Sequence, residues 1–199
     1  MRARLAVHVS RQQCELREIV LRDKAPEFLA ASPKGTVPVL VKPDGAVIEE
    51  SLEVMLWALH ESDPDSWLVP PSGDLDAMLA LIEACDREFK ANLDAYKYAS
   101  RAAPENGVQA RNAGAQFLVE LDGRLTVQPY FFGERLTLAD MAIFPFVRQF
   151  ANVDRDWFDQ QTWPHLLKWL EDLLASSRFA DVMKKYSKWQ NGSDIVVFN

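Results

Sequence analysis

The chain of 199 residues predicts two parts, an α/β amino-terminal half followed by an all-helical half, and three observations carry that prediction. Before residue 50, apolar residues alternate or come in short runs broken by Pro and Gly, the pattern of strands and brief helices. From Ser51 onward they recur at helical spacing, and a Pro- and Gly-bearing stretch over residues 64–73 divides the two patterns. A hydrophobic content of 48% supplies enough apolar surface for a core in each part.

Residues 1–9 read as a short helix offering Leu5, Val7 and Val9 to a core. Residues 15–21 alternate polar and apolar side chains and include Ile19 and Val20, which predicts a strand. Pro26 opens a short helix through Ala31, ended by Ser32, Pro33 and Gly35. Val37, Pro38, Val39, Leu40 and Val41 form a buried strand, Lys42 to Gly45 a turn, and residues 46–49 the returning arm of a hairpin. A helix starts at Ser51, with Leu52, Met55, Leu56 and Leu59 on one face.

Beyond the linker, Leu75, Met78, Leu79, Ile82, Cys85, Phe89, Leu93 and Tyr96 form one stripe of a long helix over residues 75–98. A second helix is expected over 109–125, with Phe117, Leu118, Leu121 and Leu125 together. Thr137 and Asp140 have the spacing of a capping box, flanked by Leu136 and Met141 in the staple positions, so both are assigned to folding. Helices are expected over 163–176 and 179–186, and Ile195, Val196, Val197 and Phe198 have strand character.

A net charge of −7 argues against a nucleic-acid face, which needs a basic stripe, and equally against an anionic membrane surface. No run approaches the roughly 18 apolar residues of a membrane span. Cys14 and Cys85 are the only cysteines, so neither a disulfide framework nor a zinc-type Cys/His spacing is present, and a reducing, cytoplasmic setting is expected.

The motifs sharpen this outline. Ser32-Pro33-Lys34-Gly35-Thr36-Val37-Pro38-Val39-Leu40, followed by Ile48-Glu49-Glu50-Ser51, resembles the glutathione-site signature of the glutathione S-transferase family. Lys24-Ala25-Pro26-Glu27-Phe28 resembles its omega-type, cysteine-dependent branch, and Phe132-Gly133-Glu134-Arg135-Leu136-Thr137-Leu138-Ala139-Asp140 is similar to the family's helical-domain capping motif. The resemblance implies a thioredoxin-like glutathione-binding domain over residues 1–63, a linker over 64–73 and an all-helical domain over 74–199.

It also implies a ligand site with glutathione as cosubstrate. Pro38 would follow a cis bond, and Val37's main chain would pair with the cysteinyl backbone of glutathione, as in strand addition. Ser51 opens a helix whose free N–H groups favour the γ-glutamyl carboxylate. Glu50 would balance the α-amino group, and Lys24 would face the glycyl carboxylate. The plain alternative is that Ser51 only caps its helix and Lys24 is a solvated surface lysine. Tyr96, Tyr98 and Trp189 are candidates for the electrophile site, although core packing accounts for them as well.

In the family, a first strand and a Cys-Pro-aromatic motif precede the segment that Met1 to Ala6 resembles. The expectation is therefore that no catalytic residue lies in these 199 residues. Cys14 has no cation placed by spacing to activate it, Cys85 falls on an apolar stripe, and Ser10 lies at the wrong end of its helix. Either the natural protein begins upstream of Met1, or residues 195–198 or a neighbouring chain occupy the first-strand position. The implied function is glutathione-dependent thiol transfer or conjugation acting on a small electrophile or mixed disulfide, by a homodimer, in a full-length form; for the 199-residue chain, glutathione binding at most is expected. The alternative is a non-catalytic module of the same fold used for protein association.

Overall fold

The computed structural model describes residues 1–99 and 104–199, which form two compact units. One comprises residues 1–65 with 177–199, the other residues 66–176. Residues 177–199 therefore pack with the amino-terminal unit, whereas the sequence reading grouped them with the helices.

In the first unit, α1 (Arg2–Ser10) buries Leu5, Ala6, Val7 and Val9 against α3 (Ser51–Glu61), which answers with Val54, Met55, Ala58 and Leu59. Apolar residues at these spacings give each helix one face to bury. The Ser10 hydroxyl, buried, donates to Val7 O at 3.0 Å, and Arg11 takes the left-handed conformation that ends α1.

β1 (Cys14–Glu15) pairs antiparallel with β4 (Val197–Phe198), in the register Cys14 with Phe198 and Glu15 with Val197. Leu16 N extends the ladder to Val196 O at 2.7 Å. The strand expected over 15–21 stops there because its partner segment runs alongside for so few residues. Glu18 O instead accepts from Trp189 N at 2.9 Å, and Val20 closes a turn with Asp23.

The carboxy-terminal segment is held by side chains as well. Arg17 lies 4.6 Å from the Trp189 ring centroid, Arg4 lies 5.4 Å from that of Tyr186, and Tyr186 meets Phe198 edge-on. These contacts explain why the helix expected over 179–186 is only Ser177–Val182: beyond Val182 the chain leaves the helix and Tyr186 turns to Arg4 and Phe198.

The hairpin forms as β2 (Leu40–Val41) and β3 (Val47–Ile48), a ladder separate from that of β1 and β4. Its turn is closed by Gly45 N to Lys42 O at 2.9 Å and by Asp44 Oδ1, which accepts from Ala46 N. The strand expected over 37–41 is shorter than its apolar run because Pro38 has no N–H to give a ladder and only Leu40 and Val41 face the returning arm.

In the helical unit, Asp74 caps α4 (Leu75–Ala84) by accepting from Ala77 N at 2.8 Å. The single helix expected over 75–98 is interrupted by a wide π-turn, Cys85–Phe89, before α5 (Lys90–Ala99). The buried stripe continues across it through Cys85, Phe89, Leu93 and Tyr96. α6 (Pro104–Leu125) begins earlier than its apolar residues indicate and packs along α5.

α7 (Leu138–Ala151) is nearly surrounded. Its capping residue Asp140 is fully buried: Oδ2 accepts from Thr137 N at 2.9 Å and from Thr137 Oγ1 at 2.7 Å, while Oδ1 accepts from Phe131 N at 3.0 Å and Trp169 Nε1 at 3.1 Å. Burial raises the Asp140 pKa, and the four donors act in the opposite direction. α8 (Arg155–Asp159) and α9 (Pro164–Leu174) complete the unit, with Trp169 seated against Phe131 and Phe144.

Candidate functional site

The segment from Lys24 to Ser51 folds back on itself so that its polar residues meet. α2 (Pro26–Ala31) begins at Pro26, whose missing N–H costs nothing at a helix start, and ends where Ser32 N reaches Phe28 O. Gly35 N then bonds Ser32 O at 3.0 Å to close a tight turn, and Gly35 itself takes the positive φ by which the chain leaves it. A Cβ at Gly35 would lie 3.1 Å from Lys24 Nζ and 3.3 Å from Leu29 Cδ2, so Lys24 lies directly against the loop that leads to Val37.

The Val37–Pro38 bond is cis, and Val37 is half exposed at 50%. Two side-chain hydrogen bonds join the Ser32–Val37 loop to the start of α3. The buried Ser32 hydroxyl donates to Glu49, and the Lys34 ammonium donates to Glu50. Glu50 is the N-cap position and Ser51 the first residue of α3, where free backbone N–H groups and the helix dipole favour an anion.

Val37 and Pro38 thus lie at the end of a loop bound to the helix start that carries Glu50 and Ser51, and Lys24, before α2, lies against that loop at Gly35. Glu49 and Lys34 were missed as side chains of this cluster. Lys34 stands inside the signature beside Gly35, which is the one signal that could have marked it.

The remaining candidates are dispersed. Cys14 is partly buried in β1, and burial pushes its thiol pKa up, the opposite of an activated thiolate. Cys85 is wholly buried. Tyr96 is a core residue 5.2 Å from the Phe150 ring, Tyr98 is exposed, and Trp189 is covered by Arg17.

Comparison with known proteins places these features in a family. Residues 1–66 match the model of the glutathione S-transferase N-terminal domain, and residues 74–172 match that of the glutathione S-transferase C-terminal domain. The chain is 25% identical over 185 residues to elongation factor 1-gamma 3 of Oryza sativa subsp. japonica, covering 84% of this chain and 44% of that protein. It is 26% identical over 155 residues to glutathione S-transferase GstB of Escherichia coli K12, covering 74% and 73%. The chain thus spans less than half the length of the elongation factor and about three quarters of GstB. Among solved structures, the glutathione transferase URE2P6 of Phanerochaete chrysosporium, in complex with oxidized glutathione, superposes with a TM-score of 0.78 at 18% identity, covering 91% of this chain and 88% of the other. With both domain models matched in their family order, the chain belongs to the glutathione S-transferase family.

Proposed function

We propose that this protein binds glutathione as a cosubstrate at the loop that ends in Val37 and Pro38, the helix start that carries Glu50 and Ser51, and Lys24 beside that loop. There it would serve thiol transfer or conjugation with a small electrophile or mixed disulfide. The observation that carries the reading is the pair of side-chain bonds, Ser32 to Glu49 and Lys34 to Glu50, that fasten the Val37 loop to the start of α3.

Each group has a physical task. The main chain of half-exposed Val37 pairs with the cysteinyl backbone, and the α3 amides at Ser51 receive the γ-glutamyl carboxylate. Glu50 opposes the ligand's ammonium, and Lys24 attracts the glycyl carboxylate. A homodimer and a cytoplasmic setting belong to the same proposal. Among the described residues, no helix is long and apolar enough to cross a membrane.

A second reading, a glutathione S-transferase-like module for protein association, is supported by the likeness to elongation factor 1-gamma 3. Turnover of a glutathione mixed disulfide, measured beside glutathione binding, separates the two. Turnover that survives Cys14→Ser, in this chain or in one extended upstream, supports the enzyme, and binding without turnover in both supports the module. No binding defeats the glutathione reading of the site.

A further inference from the structure

Lys34 sits in the loop one residue before Gly35, with its side chain 49% exposed, and its ammonium donates to Glu50. That bond, followed by the attraction of Glu50 and then of Glu49 and Glu53, raises the Lys34 pKa, so Lys34 is charged at neutral pH. Glu49 is already engaged by the Ser32 hydroxyl. On the reading proposed above, Glu50 is also the carboxylate that meets the ligand's α-ammonium. One carboxylate is then shared between two cations, one from the chain and one from the ligand, and the two cations repel each other.

We propose that Lys34 is a specificity-determining residue of this site: it occupies Glu50 before ligand arrives and competes with the γ-glutamyl ammonium for it. Lys34 therefore weakens binding of ligands that carry that ammonium and narrows the preference for them over acyl analogues that lack it. The position suits such a role. The lysine lies outside the core on a flexible stem, so it can swing away from Glu50 without disturbing the Ser32 to Glu49 bond that holds the loop.

The inference rests on the glutathione reading, and the test keeps the two apart. Native protein, Lys34→Met and Lys34→Arg are titrated calorimetrically with glutathione and with N-glutaryl-cysteinylglycine, which lacks the α-amino group. Lys34→Met is expected to bind glutathione about two- to fivefold more tightly than native protein, the range an exposed ion pair supports. Lys34→Arg, which keeps the charge, should match native protein, and the glutaryl ligand should gain nothing from Lys34→Met. Unchanged or weaker glutathione binding by Lys34→Met, with native protein binding normally, overturns the role given to Lys34 alone. An equal gain for both ligands overturns it as well. If neither native protein nor Lys34→Met binds glutathione, the glutathione reading of the site falls and this inference with it. Equal thermal midpoints for the three proteins establish that folding is not the variable.

Discussion

The indole N–H of Trp169 donates to Asp140 Oδ1 at 3.1 Å, joining α9 to the start of α7 through a carboxylate that is also the helix's own cap. Every donor around this buried group points at a carboxylate oxygen, and each would be orphaned without it.

Asp140→Asn keeps the shape but turns an amide NH₂ toward donors, and Asp140→Ala removes the acceptor altogether. Both should destabilise the helical unit, the alanine variant by about 3 kcal/mol or more. Urea unfolding followed by tryptophan fluorescence reads the loss, and a change under about 0.5 kcal/mol, the scale of an ordinary surface substitution, would contradict the role given to this residue.

Gly114 on α6 faces Phe150 of α7, and a Cβ there would come within 2.8 Å of the Phe150 ring. Helix propensity favours alanine over glycine by about 1 kcal/mol. Here the contact outweighs it, because Phe150 is itself packed by Phe89 and Tyr96 and has little room to retreat. Gly114→Ala should lower the thermal midpoint, at an overpacking cost of about 1–3 kcal/mol. A raised midpoint would show that the ring yields freely.

The carboxy-terminal strand should be a cooperative part of the first unit. Phe198 is buried opposite Cys14 and meets Tyr186, so Phe198→Ala should cost about 2 kcal/mol or more. It should also speed hydrogen exchange at the Leu16 amide, which is bonded to Val196 O. An unprotected Leu16 amide in the native protein would refute this pairing.

Cys14 should be a slow thiol. Burial raises its pKa above the ordinary value of 9.0, so less thiolate is present at pH 8 than in a free cysteine. Its reaction with iodoacetamide should lag behind that of unfolded protein at pH 8 and gain as the pH rises toward 10. A native rate equal to or above the unfolded rate would contradict the assignment and reopen Cys14 as a nucleophile.

What could be read from the sequence was local. The Thr137 and Asp140 cap shows itself at a spacing of 3 residues, but the bonds from Asp140 to Phe131 and Trp169 span 9 and 29 residues, beyond any local pattern. Alternation over residues 15–21 describes side chains suited to a strand, whereas strand length depends on a partner that arrives from residues 196–198. The signature around Pro38 points to Val37 and Ser51, whose proposed roles run through the backbone, and to Glu50 by its place beside Ser51. The hold of Lys34 on Glu50 depends on where a long side chain rests after the loop has folded, and spacing does not encode it.

The proposed glutathione site is tested most directly by calorimetric titration of glutathione into the native protein, Glu50→Gln and Ser51→Ala. It predicts saturable one-site binding by the native chain. Glu50→Gln should lose about tenfold or more in affinity, the worth of a hydrogen bond to a charged group, and Ser51→Ala should lose less because the helix amides remain. Absence of saturable binding by the native chain, or equal affinity in Glu50→Gln, would contradict it.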